Sequence, residues 1–298
     1  MGHHHKHCKH HNTTKNLATA FFLNLGFTII EFIGGFFTNS LAIMSDALHD
    51  LGDSLSLGLA WYFEKKSSKN PTKKYSFGFK RLSILGALIN SVVLIIGSVF
   101  IITEAMPRLT NPQLTNAKGM MWLAILGIVV NGVAVLKLKG GSSINEKVVS
   151  LHLLEDVLGW AAVLIASIIM QFWEIPILDP ILSVLIAVFI LVNVYRNIKE
   201  SIQIILQGAP EGISIKEIEE ELIKAEGINS VHDTRIWTMD GEYHVFTIHL
   251  VLEDNKNIEE LHPLKRQLKN KLNTLFQLEH ITLEFEYLDE ECPYKNNN

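Results

Sequence analysis

The sequence predicts an α-helical membrane protein that ends in a small α/β domain, on the strength of three observations. Of the 298 residues, 48% are hydrophobic and only 19% are charged, whereas soluble globular chains carry about 25% charged residues. Six apolar stretches have about the 20 residues that a membrane-crossing helix needs. Charged residues are concentrated after position 206, where the composition becomes that of an ordinary soluble domain.

The apolar stretches predict six transmembrane helices with a polar interior. They cover 17–37, 41–63, 82–103, 117–136, 148–172 and 177–194. Several carry polar or ionisable side chains, such as Asn24 and Glu31. These side chains are costly in a bilayer, so they face a partner helix or a water-filled cavity. We therefore expect a His-rich tail over 1–16, a transport domain over 17–206 and a soluble domain over 207–298.

Basic residues predict the orientation of these helices. Lys and Arg collect in the loop 64–81, in the loop 137–147 and after residue 194. The alternate loops carry Arg108 as their one basic residue. Because cytoplasmic loops carry the excess of Lys and Arg, the basic loops and both termini are predicted on the cytoplasmic side.

The region 207–298 predicts the element order helix, strand, strand, helix, strand. The predicted helices cover 214–227 and 258–276, and the predicted strands cover 231–239, 242–252 and 280–288. Asp240 and Gly241 form a hairpin signal between the first two strands. The pattern indicates a compact sheet with helices on one face, and this length has no room for a large catalytic domain.

A His-x-x-x-Asp motif occurs twice inside the apolar stretches. It comprises His49 and Asp53 in the second stretch, and His152 and Asp156 in the fifth. Positions i and i+4 share a helix face, so each helix directs an imidazole and a carboxylate the same way. Polar contacts between membrane helices contribute only about 0.6 kcal/mol on average, too little to explain four buried ionisable groups. The motif therefore predicts a metal site with four ligands.

The ligand types indicate which ion binds and how it is released. A His2Asp2 set is borderline in softness, which suits Zn²⁺, with Cd²⁺ and Co²⁺ as further ions. Manganese is disfavoured because it prefers harder oxygen ligands. The ligands must lose protons before metal enters, and His titrates near neutral pH, so exchange of metal for H⁺ is predicted. Asp46, three residues before His49, is expected to orient that imidazole through a hydrogen bond.

Several segments of the chain resemble the cation diffusion facilitator family, in its bacterial zinc, cadmium and cobalt efflux branch. They are SDALHDLGDSLSLG, YSFGFKRLSILGALIN, SLHLLEDVLGWAAVLIAS, LDPILSVLIAVFIL and VHDTRIW with IHL in the tail. The likeness runs from residue 17 to residue 288 in order. It implies a six-helix membrane bundle with a cytoplasmic ferredoxin-like domain, working as a homodimer. It also implies a metal/proton antiporter, a secondary active transporter and not an enzyme.

The chain departs from the family pattern in three places. Ser83 stands where relatives usually carry Glu, so any role of that Glu is in doubt here. The loop 64–80 has no His, so the loop metal site of some relatives is missing. The segment KLKGGSSINEK is short and lacks the His-rich insertion of eukaryotic zinc transporters. These features favour a pump of the bacterial inner membrane.

The resemblance also implies a cytoplasmic metal site. His232, His249 and His280 stand at positions where relatives bind zinc at the dimer interface, with Glu286 as a carboxylate ligand. Asp233 and Glu284 are neighbouring carboxylate candidates.

The amino-terminal tract is a weaker candidate. It contains Cys8 and six histidines, which are His3, His4, His5, His7, His10 and His11. A flexible tract has no fixed ligand geometry, so we expect it to collect or buffer zinc at most. Cys8 and Cys292 lie in polar terminal segments and predict no disulfide framework.

Two other functions compete with transport. A membrane metal sensor that signals through its cytoplasmic domain is the alternative, although the chain has no GxxxxGK[ST] nucleotide motif. An intramembrane zinc enzyme would need an HExxH-type helix or an open fourth coordination position, and neither is predicted. A net charge of −5 argues against a nucleic-acid partner. No organic cofactor is expected.

Overall fold

The structure is a computed structural model that describes residues 10–67, 72–138, 144–254, 257–288 and 292. The chain divides into two compact units. The first comprises Met1–Asn70 with Leu85–Ile198, and the second comprises Pro71–Ile84 with Lys199–Asn298. The loop before the third helix therefore belongs to the second unit.

Within the described residues, long helices form at all six predicted stretches. They are α1 (His10–Thr38), α2 (Leu41–Ser67), α3 (Leu82–Thr110), α4 (Ala117–Leu138), α5 (Ile144–Trp173) and α6 (Leu178–Ile205). The shortest, α4, has 22 residues and so spans about 33 Å at 1.5 Å per residue. Five of them, all except α2, are long and apolar enough to cross a membrane. Helix α2 differs because Asp46, Asp50 and Asp53 lie within it.

Helix α6 continues eleven residues beyond the predicted end at residue 194. The extension carries charged residues, including Arg196 and Lys199, which end an apolar run but do not end a helix. Ile198 packs against the cluster that contains Ile190 and Val194, so one face of the extension stays apolar. Hydropathy alone therefore places the end of this helix too early.

The helices of the first unit present apolar side chains outward. Phe36, Phe37, Trp122 and Phe172 are each exposed over more than half of their surface. A water-soluble domain seldom exposes so many large apolar groups together. This surface suits a lipid environment, in which apolar side chains need no cover.

The unit is held inside by close helix packing and by one buried carboxylate. Helix α1 packs along α2, and α4 packs along α5. Asp179, at the start of α6, is fully buried and accepts hydrogen bonds from Ser40 Oγ at 2.5 Å, Leu41 N at 2.9 Å and Ala42 N at 3.2 Å. These amides lie at the amino-terminal end of α2, where backbone N–H groups have no intrahelical partner. The carboxylate therefore caps α2 and fixes it to α6.

The second unit has the predicted order of elements. They are α7 (Ile215–Ile223), β1 (Ile228–Thr238), β2 (His244–Leu252), α8 (Ile258–Phe276) and β3 (His280–Glu286). The strands form one sheet in the order β1-β2-β3, with β1 antiparallel and β3 parallel to β2. Ser214 and Asn257 cap the two helices through side-chain oxygens that accept backbone N–H bonds.

Strand alternation separates the two faces of this sheet. Phe246, Ile248 and Leu250 of β2 are buried in a core shared with residues of both helices, such as Leu222 and Leu268. Successive side chains of a strand point to opposite faces, so His249 lies on the face away from that core.

Candidate metal centres

The first centre lies between α2 and α5. His49 and Asp53 are one turn apart on α2, and His152 and Asp156 are one turn apart on α5. Asp53 Oδ2 lies 3.1 Å from His152 Nε2 and 3.9 Å from His49 Nε2. His49 Nε2 lies 4.0 Å from Asp156 Oδ1. The structure therefore brings together all four residues that the sequence motif singled out.

The spacing of these atoms suits a single metal ion. Ligand atoms of His49, Asp53 and His152 all lie within 4.8 Å of one another. Around a tetrahedral zinc with bonds of about 2.0–2.2 Å, ligand atoms are roughly 3.4 Å apart. The separations of 3.1, 3.9 and 4.0 Å bracket that value. His49, Asp53 and His152 form the group whose ligand atoms lie this close, and Asp156 would have to move towards them to become the fourth ligand.

Further buried polar groups lie beside this centre. Asp46, Asp50 and Glu31 are buried, with relative exposures of 7%, 6% and 1%. The Glu31 and Asp50 carboxyl groups lie close enough to interact with each other. A Cβ atom added at Gly159 would lie 3.6 Å from Asp46 Oδ1, so this carboxylate faces α5 three residues from Asp156. The expected hydrogen bond from His49 to Asp46 stays a prediction.

The second centre lies on the sheet of the second unit. His232 of β1 pairs directly with His249 of β2, and Glu286 ends β3. Glu286 Oε1 lies 2.6 Å from His249 Nδ1, and Glu286 Oε2 lies 3.2 Å from His232 Nε2. Asp233 and Glu284 carboxylates lie 3.7 and 3.4 Å from His249 Nε2. Three of the four predicted cytoplasmic residues therefore meet.

A β-bulge shapes this second centre. The register between β1 and β2 shifts between His232 and Arg235, and Asp233 within the bulge has a φ of 46°. A bulge bends its strand and redirects a side chain. Asp233 Oδ1 accepts two hydrogen bonds from Arg235, at 2.8 and 3.0 Å, which stabilise this conformation.

Electrostatics keep Glu286 in the charged form that a ligand needs. Burial alone would raise its pKa, but hydrogen bonds from Cys292 and His249 and the nearby His232 outweigh burial and lower the pKa below its usual value. The carboxylate therefore stays ionised at neutral pH.

The structure does not bring His280 to this centre. His280 begins β3 and Glu286 ends it, and six residues of strand span about 20 Å. The His280 ring instead contacts Phe77, with ring centroids 5.2 Å apart. Cys292 occupies the cluster in its place, with Sγ 3.5 Å from His249 Nδ1. The sequence signal for Cys292 was a thiol six residues beyond the last strand.

Most of the amino-terminal metal-binding candidates lie outside the described residues. These are His3, His4, His5, His7 and Cys8, since α1 begins at His10. Their predicted role in collecting zinc stays a prediction.

Comparison with known proteins identifies the family. Residues 17–206 match the family described as the cation efflux transmembrane domain. Residues 210–287 match the family described as the cytoplasmic domain of cation efflux proteins. The chain belongs to the cation efflux family. The predicted resemblance is thereby confirmed, as is the prediction that the chain is a cation-efflux transporter and not an enzyme.

Several curated relatives of this cation efflux protein match along almost their full length. A "Cadmium, cobalt and zinc/H(+)-K(+) antiporter" of Bacillus velezensis is 36% identical and covers 96% of this chain and 92% of its own. The "Metal cation efflux system protein CzcD" of Cupriavidus metallidurans is 32% identical, with 96% and 90% covered. "Zinc transporter ZitB" of Escherichia coli is also 32% identical, with 96% and 93% covered.

One solved structure also matches. It is described as the metal-bound C-terminal domain of the CzcD transporter, is 30% identical, and has a TM-score of 0.22. The match covers 25% of this chain and 99% of that one.

Proposed function

We propose that this cation efflux protein exports Zn²⁺ from the cytoplasm in exchange for H⁺, with Cd²⁺ and Co²⁺ as further substrates. The observation that carries the proposal is the meeting of Asp53 with both imidazoles across α2 and α5. Asp156 supplies the fourth ligand, 4.0 Å from His49. The names of relatives from three bacteria, which include zinc, cadmium and cobalt, support this choice of ions.

Proton coupling follows from the ligands themselves. An imidazole binds metal only through a deprotonated nitrogen, and a carboxylate only when ionised. On the low-proton side the ion displaces protons from these ligands and binds. On the high-proton side protons compete for the same four ligands and release it. A cycle that alternates between the two sides therefore moves metal one way and protons the other.

The membrane arrangement belongs to the same proposal. We infer that α2 crosses the membrane with the other five long helices, because Asp46 and Asp50 are buried within the unit and Asp53 contacts His152 of α5. Both termini lie on the cytoplasmic side of a bacterial inner membrane, as the basic loops indicate. The match of residues 210–287 to a cytoplasmic domain supports that side for the carboxyl end.

The second unit has a regulatory role in this proposal. It is a ferredoxin-like dimerisation domain that binds metal through His232, His249 and Glu286 when cytoplasmic metal rises. Two copies of this chain form the transporting homodimer. Removing residues 208–298 should abolish the metal dependence of transport, and an unchanged metal response would contradict this role.

The decisive experiment is zinc uptake into everted vesicles or proteoliposomes with an imposed pH gradient. Asp156→Asn keeps the size of the side chain but removes its charge, and uptake should fall at least about tenfold, because even loss of a group that orients a metal ligand weakens binding about 10- to 100-fold. Glu155→Gln is the matched control, because Glu155 is the adjacent acid of α5 and is exposed. It should transport like the parent protein.

The outcomes separate the candidate functions. If the parent protein transports no zinc, cadmium or cobalt, the proposed choice of ions is refuted, and a membrane metal sensor becomes the better account of the two metal centres. If transport survives in Asp156→Asn, the choice of ions stands but the ligand assignment fails.

A further inference from the structure

The cytoplasmic centre contains a group that lies outside the family's cytoplasmic domain. That domain matches residues 210–287, whereas Cys292 follows five residues later. Its Sγ atom lies 3.5 Å from Nδ1 of His249. Around a tetrahedral zinc with bonds of about 2.3 Å to sulfur and 2.05 Å to nitrogen, the two ligand atoms are also about 3.5 Å apart. The thiol therefore lies at the distance of a ligand.

A second observation points to a ligand at the same place. Nε2 of His232 is buried and has no hydrogen-bond partner within the described chain, although it lies 3.2 Å from Glu286 Oε2. The side chains of His232 and Glu286 are each only 7% exposed. Buried polar atoms are nearly always paired, so an unpaired one indicates a missing partner. The neighbours of this nitrogen are the ligand groups of His249, Glu286 and Cys292.

The four donors make a closed set. Ligand atoms of His232, His249, Glu286 and Cys292 all lie within 4.8 Å of one another. Four protein ligands are typical of a structural or sensing site, whereas sites that turn over a substrate keep a position open. The 2.6 Å contact between His249 Nδ1 and Glu286 Oε1 is a hydrogen bond whose proton a metal would replace.

We propose that Cys292 is the fourth ligand of the cytoplasmic site and that it tunes this site to soft divalent ions, Cd²⁺ above all, followed by Zn²⁺. The inference rests on the cytoplasmic site proposed above. Two imidazoles and a carboxylate alone form a set of borderline hardness, which discriminates little between Zn²⁺ and Co²⁺. A thiolate is soft and binds cadmium strongly. The thiol proton leaves when the sulfur–metal bond forms.

The two centres of the protein then differ in selectivity. The transmembrane set contains no sulfur, whereas the cytoplasmic set contains one. The cytoplasmic site would fill with cadmium at concentrations at which cobalt leaves it empty. Its response is thereby directed to the softest of the ions proposed for the transport site.

The test is spectroscopic and uses the full-length protein in detergent. Cadmium bound by a thiolate absorbs in the ultraviolet through sulfur-to-metal charge transfer, and nitrogen or oxygen ligands produce no such band. The chain has two cysteines, so Cys8→Ser is the matched control for Cys292→Ser. Titration with Cd²⁺ should produce the band in the parent protein and in Cys8→Ser. Cys292→Ser should lack it.

The affinity of the cytoplasmic site for cadmium provides a second test. Loss of groups that merely orient a ligand weakens metal binding about 10- to 100-fold, so loss of the ligand itself should weaken cadmium binding at least about tenfold. Competition with a chromophoric chelator measures this in proteins that carry His152→Ala and Asp156→Ala, which removes binding at the transport site. Cobalt affinity should fall by a smaller factor, since cobalt gains less from sulfur.

The results distinguish the role of Cys292 from the existence of the cytoplasmic site. A band that keeps its full intensity in Cys292→Ser, or disappears in Cys8→Ser, refutes Cys292 as the ligand. Cadmium binding that depends on His232 but produces no band also refutes it, while leaving the cytoplasmic site in place. If His232→Ala leaves cadmium binding and the band unchanged, the cytoplasmic site itself is refuted.

Discussion

Gly127 of α4 allows helix packing around the metal site to be tested without changing a metal ligand. A Cβ atom at this position would lie 2.3, 2.4 and 2.6 Å from three ring atoms of Trp160 on α5. Carbon atoms in contact are normally about 3.5–4.0 Å apart. Gly127→Ala therefore requires α4 and α5 to separate locally by about 1.2 Å, unless the indole moves away.

The indole has little room to move. Trp160 is 1% exposed and packs in a cluster with Met120, Ala124 and Val163. It lies one helical turn after Asp156 on α5, so a shift of the α5 backbone that makes room for the ring also moves this carboxylate. Overpacking of this kind costs about 1–3 kcal/mol. If moving α5 relieves that strain, zinc affinity falls about 5- to 150-fold, at 1.4 kcal/mol for each factor of ten.

Proteoliposomes with an imposed pH gradient provide the assay, with zinc uptake normalised to the amount of reconstituted protein. Gly132→Ala is the matched control on the same helix, because a Cβ there meets no described atom within 4 Å. It should transport normally. Equal uptake and equal zinc affinity for Gly127→Ala and Gly132→Ala would refute the idea that this contact positions Asp156.

Two further predictions concern stability. Asp179→Ala removes the acceptor of the Leu41 and Ala42 amides and leaves these buried donors unpaired. The free energy of unfolding should fall by about 1–3 kcal/mol, which is measured as a lower thermal midpoint in detergent. Asp233→Val places a β-branched residue at a φ of 46°, which should destabilise the second unit by about 1–3 kcal/mol, seen as faster amide hydrogen exchange in β1 and β2.

Each of these has its own control. Asp179→Asn keeps the size of the side chain and one acceptor oxygen for the amides, so it should cost less than Asp179→Ala, about 1 kcal/mol. An equal loss in Asp179→Asn and Asp179→Ala would contradict the cap. Asp233→Gly also loses the carboxylate but accepts positive φ without strain. Exchange as fast in Asp233→Gly as in Asp233→Val would show that the ion pair, not the backbone, is responsible.

The positions of the helices could be predicted because they depend on local composition. A bilayer demands about 20 apolar residues, and this demand is visible in any single stretch. The predicted stretch 117–136 became α4 (Ala117–Leu138), and 41–63 became α2 (Leu41–Ser67). The end of α6 was misplaced because its last eleven residues are amphipathic, a pattern that hydropathy does not register.

The transmembrane site was predictable for a related reason. Helical periodicity relates residues four apart, and the motif repeats at His49 with Asp53 and at His152 with Asp156. Each half of the site is therefore a local property of one helix. Only the meeting of the two halves is tertiary, and the small number of ionisable groups in the membrane leaves few other ways to pair them.

The cytoplasmic cluster shows the opposite case. Its members come from three strands and a tail, so strand register decides which of them meet. A predicted strand over 280–288 already separates His280 from Glu286 by about 20 Å of extended chain, a constraint that could have removed His280. The bulge at Asp233 carries no local signal, and a thiol six residues beyond the last strand does not by itself show that the chain returns to the sheet.

The sequence by itself determined the helical membrane class, the element order of the second unit and both halves of the transmembrane motif, because periodicity and apolar length are properties of neighbouring residues. Only the tertiary structure decided that Trp160 packs against Gly127, that Asp179 caps α2, and that Cys292 and not His280 contacts His249. Those contacts link residues far apart in the chain, and their geometry follows from how whole helices and strands pack.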